Sequence, residues 1–325
     1  MATCTLGIVS DIHYAGAAEQ ARGSDYELRE IRGSLKRGFA RLYRRYVWMH
    51  QPLRQGYLLD RFLDQAGPFD HLVANGDYSV NTAFLGLSDD AAFDSARECL
   101  RKLRARFGDK LHANIGDHEL GKLTLFSAGG GMRLASWRRA VNDLGLEAFW
   151  RLEIGRYVVI GFSSSLVELP VLGEEMLPAE RSEWERLRAD LVAKIRAAFE
   201  AVQTGQRILL FCHDPTALPF LLREEAVRAK LPQIEQTTVG HLHTNLILWK
   251  SRLLAGMPRI RCFGRAIHRF SSALNEARCW RQFHVRLCPA LAGIELLKDG
   301  GYCTLELDPD AGRPARFLFH PIPRS

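Results

Sequence analysis

Six short runs rich in Val, Ile, Leu and Phe, at positions 6–10, 69–75, 111–115, 157–162, 208–212 and 236–239, alternate with longer segments of helical period. The longer segments include 89–107, 179–203 and 215–230, and Asp214 followed by Pro215 reads as an N-cap and first helical position. Such alternation specifies an α/β fold in which helices cover a largely parallel sheet. From about residue 255 the pattern changes to shorter strand-like runs at 283–287, 302–307 and 316–320. These read as an added antiparallel, β-rich portion and not as a second domain, so residues 1–325 are expected to form one domain. No stretch approaches the ~18 to 20 apolar residues of a membrane span, and a strand-like run at 4–10 comes at once with no signal-peptide core before it. Seven cysteines, odd in number and without a C-x-x-C pair, suit reduced thiols, and the expected address is the cytoplasm.

Five of the predicted strands run into polar clusters: Ser10-Asp11-Ile12-His13, Gly76-Asp77, Gly116-Asp117-His118-Glu119, His213-Asp214 and Gly240-His241-Leu242-His243. Ligands of open α/β sheets gather beyond the carboxyl ends of strands, so the five tips should converge. Taken singly, each cluster is also a common turn or helix cap; the order and the shared position after strands carry the argument. With His118 set aside they supply His13, His213, His241 and His243 and the carboxylates of Asp11, Asp77 and Asp117. Imidazole and carboxylate together suit borderline divalent ions, with manganese expected and iron or zinc as alternatives. Seven ligands exceed the needs of one ion, whereas two ions about 3.5 to 4 Å apart, bridged by one carboxylate, form a clamp for in-line displacement at phosphorus. Residues two apart on a strand continuation point the same way, so both members of Asp11/His13 and of His241/His243 should reach the centre.

The positive charge is concentrated. Between positions 29 and 61 nine basic residues face only Glu30 and Asp60, while basic and acidic residues balance over the rest of a chain whose net charge is +7. Leu28, Ile31, Leu35, Phe39, Leu42, Tyr46 and Met49 recur there at steps of three and four, which predicts a basic amphipathic helix with one buried stripe, weakened at Gly33 and Gly38. Such a helix could rest on an anionic membrane surface or receive a phosphorylated ligand through Arg41, Arg44 and Arg45; the plainer reading is a solvated face. Arg259, Arg261, Arg265 and Arg269 could line the site, the plainer reading being a solvated edge.

The ordered motifs D-x-H, G-D, G-D-H-E, a lone His after a strand and G-H-x-H, spanning Asp11 to His243, resemble the calcineurin-like metallophosphoesterases. That resemblance implies a four-layer αββα sandwich of two mixed β-sheets, here with a basic helical insertion at about 25–66. It implies that Asp11, His13 and His243 hold one metal and Asp117, His213 and His241 the other, with Asp77 bridging. His118 would sit beside the metals without binding them, to steady phosphoryl oxygens or protonate the leaving oxygen, and a metal-bridging hydroxide would attack phosphorus. One position departs from the pattern: the family's Asn is Asp117 here, an extra negative charge expected to tighten metal binding and make the bridging water less acidic.

Three functions follow. The first is hydrolysis of a phosphoester or pyrophosphate in an amphiphilic, membrane-associated substrate, similar in plan to the UDP-diacylglucosamine hydrolases, with the insertion as lid and docking element. The second is a nucleotide or nucleic-acid phosphodiesterase, with Tyr43, Tyr46 and Trp48 stacking on bases between the arginines. The third is a scaffold that kept the fold and lost the reaction. No obligate protein partner is readable.

Overall fold

The computed structural model describes residues 3–23, 26–28, 31, 33–123, 129–260 and 265–324. Among these, ten strands form two five-stranded sheets. In the first, β1 (Cys4–Val9), β2 (His71–Ala74) and β3 (Leu111–Ala113) run parallel, and β9 (Gly301–Leu307) and β10 (Arg316–Pro321) add antiparallel strands on the other side of β1. In the second, β4 (Phe149–Ile154) is antiparallel to β5 (Tyr157–Phe162), which continues in parallel through β6 (Arg207–Cys212), β7 (Ile234–Val239) and β8 (Val285–Leu287). Both sheets are mixed, as expected.

Strands such as β5, buried along its whole length, read as unbroken apolar runs because both faces of each sheet are covered. Leu6, Ile8, Val73 and Leu305 of the first sheet share one core with Val159, Leu209 and Phe211 of the second. In the other core, Cys99, Leu100 and Leu103 of the helix Asp90–Phe107 and Trp184, Leu191 and Ile195 of the helix Arg181–Glu200 pack over the outer faces. The result is the four-layer helix-sheet-sheet-helix sandwich. Asp89 caps the first of these helices by accepting from the Ala92 amide at 3.1 Å.

Four local expectations change. The late strands are not one antiparallel block: β9 and β10 join the first sheet, while β8 joins the second in parallel. β4 was not visible in the pattern because its outward residues Arg151 and Glu153 pair with each other at 2.6 Å and dilute the apolar run of an edge strand. Positions 215–230 form a 3₁₀ turn and two short helices, Leu218–Leu221 and Glu225–Ala229, in place of one helix. The basic segment contributes α1 (Ala17–Arg22) at its approach, then α2 (Ser34–Tyr46) and α3 (Tyr57–Gln65). Leu28, Ile31 and Met49 are buried as expected, but the stripe on α2 itself faces outward, with Leu35, Phe39, Leu42 and Tyr46 all exposed.

The two sheets are joined at their carboxyl ends by a buried amide relay. Asn114 Nδ2 donates to Asn75 Oδ1 at 2.8 Å and to the Phe211 carbonyl at 3.1 Å, and Asn75 Nδ2 donates to the Cys212 carbonyl at 3.1 Å. Trp150 Nε1 closes the relay by donating to Asn114 Oδ1 at 2.7 Å. Asn75 and Asn114 follow β2 and β3, whereas Phe211 and Cys212 end β6, so the relay sets the spacing between sheets where the polar clusters emerge. Asn114→Ala would orphan the Trp150 indole N–H and Asn75 Oδ1 together; at about 1–3 kcal/mol per buried unpaired group, a loss of about 2 kcal/mol or more is expected in urea unfolding.

Candidate metal centre

The chain continues the pairing of β1 with β2 past the ends of both strands: the amides of Asp11 and His13 donate to the carbonyls of Gly76 and Asp77 at 3.1 and 3.0 Å. Along this continuation the backbone is not extended. Asp11 (φ 50°), His13 (48°), Asp77 (61°), His241 (54°) and His243 (59°) all lie in the left-handed region, five of the eleven non-glycine residues that do so among those described. Each such residue costs on the order of 1–3 kcal/mol and persists only where its surroundings over-determine it. Asp11 and His13 therefore both reach the centre through left-handed turns, not through strand alternation.

Glycine is required beside these residues because the strand tips nearly touch. A Cβ on Gly76 would stand 2.7 Å from Gly116 Cα and 3.0 Å from His213 Nδ1. One on Gly240 would stand 2.5 Å from Asp11 Oδ2. Glu119 ties the loops together, accepting from the amides of Asp77, Tyr78 and Gly116 at 2.9, 2.8 and 2.9 Å. Burial first, and then the Asp77 carboxylate, push its carboxyl up to about 7.

All seven expected ligand residues and His118 converge. One group brings together Asp77, Asp117, His213 and His241, and another Asp11, His13 and His243, each with its ligand atoms within 4.8 Å of one another. Asp77 Oδ2 is the shared atom: it lies 3.1 Å from His213 Nε2 and 3.9 Å from His13 Nε2. Asp11 Oδ1 is 3.3 Å from His243 Nε2, and Asp117 Oδ1 is 3.3 Å from His213 Nε2 and 3.4 Å from His241 Nδ1. His118 Nε2 stands 3.7 Å from Asp77 Oδ2 and groups with His13 and Asp77 beside the centre.

The donor set fits divalent ions. Asp77 Oδ2 and His213 Nε2 are buried, with no hydrogen-bond partner among the described residues, and point at each other across the centre. The outer atoms are satisfied. His213 Nδ1–H donates to the Asn75 carbonyl at 2.8 Å and His13 Nδ1–H to the Ser79 carbonyl at 3.3 Å; a carbonyl only accepts, so Nδ1 is the donor in each ring and Nε2 faces the centre, its lone pair free in the neutral His13 and freed in His213 when that ring gives up its Nε2 proton. Asp77 Oδ1 accepts from the His118 amide at 3.0 Å, and Asp11 Oδ2 from Ser10 Oγ at 2.6 Å.

Electrostatics divides the imidazoles. Burial lowers His13 to about 4 and holds His118 and His243 well below the usual imidazole range, where they are neutral. Burial opposes the charged form of His213 and His241 too, but Asp77 and Asp11 raise the first well above its usual value and Asp214 and Asp117 raise the second. In both rings the carboxylates favour the charged form, which supplies positive charge where a divalent ion would otherwise neutralise them.

Two participants escaped the sequence reading. Lys122 places Nζ 3.1 Å from Asp117 Oδ2; against burial, Lys122 and His241 keep that carboxyl well below the usual range. The extra charge of Asp117 is thus paired within the site by a cation of the chain's own. Lys122 is held by its neighbour: the Leu123 amide donates to Glu175 Oε2 at 3.0 Å, and Arg269 pairs with Glu175 Oε1. Arg269 is therefore part of the site's support and not a solvated edge, whereas Arg259 does pair at the surface, with Glu276 at 2.8 Å; Arg261 and the side chain of Arg265 lie outside the described residues. Asp214, read as a helix cap, accepts from the Thr216 amide at 2.7 Å and also sets its other oxygen 3.4 Å from His241 Nε2, orienting that ring. Arg41, Arg44 and Arg45 lie on α2, Arg44 half-buried and the other two exposed.

No family model and no curated protein matches the chain. Among solved structures it is similar to a phosphopantetheinyl hydrolase from Mycobacterium tuberculosis, at 16% identity over 74% of this chain and 84% of that chain, with a TM-score of 0.37. It is also similar to a purple acid phosphatase from yellow lupin (Lupinus luteus) seeds, at 12% identity over 74% and 38% of the two chains and a TM-score of 0.35. A predicted phosphoesterase from Streptococcus pneumoniae overlaps 98% of this chain and 99% of its own at 10% identity and a TM-score of 0.28. Overlaps this loose leave the fold and the site to rest on the chain's own geometry.

Because the carboxylates raise His213 and His241 above the usual imidazole value, metal binding competes with protons at both rings. Titration of the metal-free protein with manganese in buffers of different ionisation enthalpy should therefore show proton release, and affinity should fall as pH falls, beginning above the usual imidazole range. Lys122→Met should tighten manganese at least tenfold by leaving Asp117 uncompensated, and Lys122→Met with Asp117→Asn should return affinity toward that of the parent.

Proposed function

We propose that the protein is a metal-dependent phosphoesterase that uses two divalent cations, manganese being the expected ion. The observation that carries this reading is the convergence of two ligand groups on one orphaned buried atom, Asp77 Oδ2. Asp11, His13 and His243 would hold one cation and Asp117, His213 and His241 the other, with Asp77 between them. Bound there, the pair would polarise the phosphoryl oxygens and acidify a water for in-line attack.

The chain's own residues supply the rest. His118 donates through Nδ1–H to the Ser79 carbonyl at 3.2 Å and turns Nε2 toward the centre. It is neutral in the free site, and an anionic phosphoryl group beside it favours the imidazolium form that can protonate a leaving oxygen. Lys122, once Asp117 is engaged by a cation, is placed to offer its ammonium to a phosphoryl oxygen. A nucleotide phosphodiester is the second reading, favoured by the Trp48 ring lying 4.6 Å from the His243 ring with Tyr43 stacked behind it at 6.4 Å, a surface on which a base can stack.

Protein stripped with chelator and given manganese should hydrolyse p-nitrophenyl phosphate or its bis ester, and the stripped protein should not; two bound metals without turnover of either would favour the scaffold. His118→Ala should bind manganese as the parent does and turn over about 10² to 10⁴-fold more slowly, as measured by kcat.

A further inference from the structure

The helix α2 is inverted. Ala40, 1% exposed, faces the protein together with the half-buried Arg37 and Arg44, and Arg37 Nη2 donates to the Ile31 carbonyl at 3.1 Å. On the opposite side Leu35, Phe39, Leu42 and Tyr46, at steps of four, three and four, form a single stripe that is 90%, 61%, 58% and 58% exposed. A helix of a water-surrounded protein turns such a stripe inward. Here the apolar side is outward, and the patch extends past the helix: the Leu296 amide donates to the Val47 carbonyl at 3.2 Å, bringing the exposed Leu296 and Leu297 beside its end.

Charge selects what covers this face. The helix carries Lys36, Arg37, Arg41, Arg44 and Arg45 and no acidic residue, and Lys36, Arg41 and Arg45 are exposed on the flanks of the stripe. A second copy laid on the face would set the three flanking cations of one helix against the three of the other, with no carboxylate on either helix to answer them. An anionic bilayer answers both features: its acyl boundary receives Leu35, Phe39, Leu42 and Tyr46, and its headgroups receive the flanking cations.

We infer that α2, with Leu296 and Leu297, is an interfacial element that seats the protein on an anionic lipid surface. A row of neighbouring rings leads from the seat to the metal centre: Phe39 is stacked 6.5 Å from Tyr43, Tyr43 6.4 Å from Trp48, and the Trp48 ring is tilted 4.6 Å from that of His243. Combined with the phosphoesterase reading, on which this step rests, the substrate class is a phosphorylated amphiphile that keeps its apolar part in the lipid while its phosphate reaches the cations.

The test is co-sedimentation of the full-length protein with vesicles of phosphatidylcholine alone or with about one-third phosphatidylglycerol, at low and high salt. Binding at least tenfold tighter to the anionic vesicles, weakened by salt and reduced tenfold or more by Leu35→Glu with Leu42→Glu, is expected. Both positions are exposed, so the double variant should melt as the parent does and hydrolyse a soluble nitrophenyl ester at the parental rate. Equal binding to both vesicle types, or binding indifferent to the double variant, overturns the inference. So does a dimer in light scattering that the variant dissociates, or binding to single-stranded DNA that the variant retains while vesicles are ignored. Sedimentation needs no turnover: a protein that binds vesicles but hydrolyses no ester refutes the phosphoesterase reading alone, and an active enzyme that ignores vesicles refutes the docking alone.

Discussion

The hydrogen-bonded relay between Asn75, Asn114 and the β6 carbonyls is the constraint on which the rest of the structure depends. Two sheets packed only through apolar side chains can slide by fractions of an ångström at little cost, since dispersion has no direction. A buried amide relay cannot, because each lost partner leaves a polar group without water to replace it. The same Asn75 offers its carbonyl to His213 Nδ1. One residue thus registers the sheets against each other and turns a ligand ring of the second sheet toward the carboxylates of the first.

Upon that frame the loops are drawn to near contact. The left-handed residues and the glycines are two sides of one requirement: side chains from separate strand tips must meet within a few ångströms, and the backbone must turn sharply to let them. Glu119, gathering three amides, holds the turns of Gly76 and Gly116 in place. Lys122 and the imidazolium forms of His213 and His241 then supply positive charge for a cluster of carboxylates that would otherwise repel. Geometry and charge are both settled by the protein before any cation arrives, which is what pre-organised electrostatics demands.

How much of this was legible in the sequence varies with the physics. β5 is found where its apolar run lies because a strand buried on both faces has no reason to alternate. The polar clusters were legible for the same reason: they begin where the apolar runs stop. Left-handed backbone at Asp11 or His243 was not, since Asp and His carry no local mark of it. Lys122 was not, because it stands five positions beyond its partner in a stretch without motif. The period of α2 was legible, but periodicity reports only that a helix has two faces; which face meets the protein is decided by tertiary contacts such as those of Ala40 and Arg37.

The position of β9 carries a consequence for how the molecule is made. β1 lies at the middle of its sheet, between β2 and a strand that follows it by most of the described chain, and the Leu291 amide reaches back to the Ser10 carbonyl beside Asp11. During synthesis the first ligand loop therefore emerges long before its flanking strand exists. The loop closure that joins them is among the longest the chain makes, and such closures are slow. Until it occurs, one edge of β1 is bare, open to pairing with any strand that passes, so the nascent protein depends on shielding of that strand until β9 has been made.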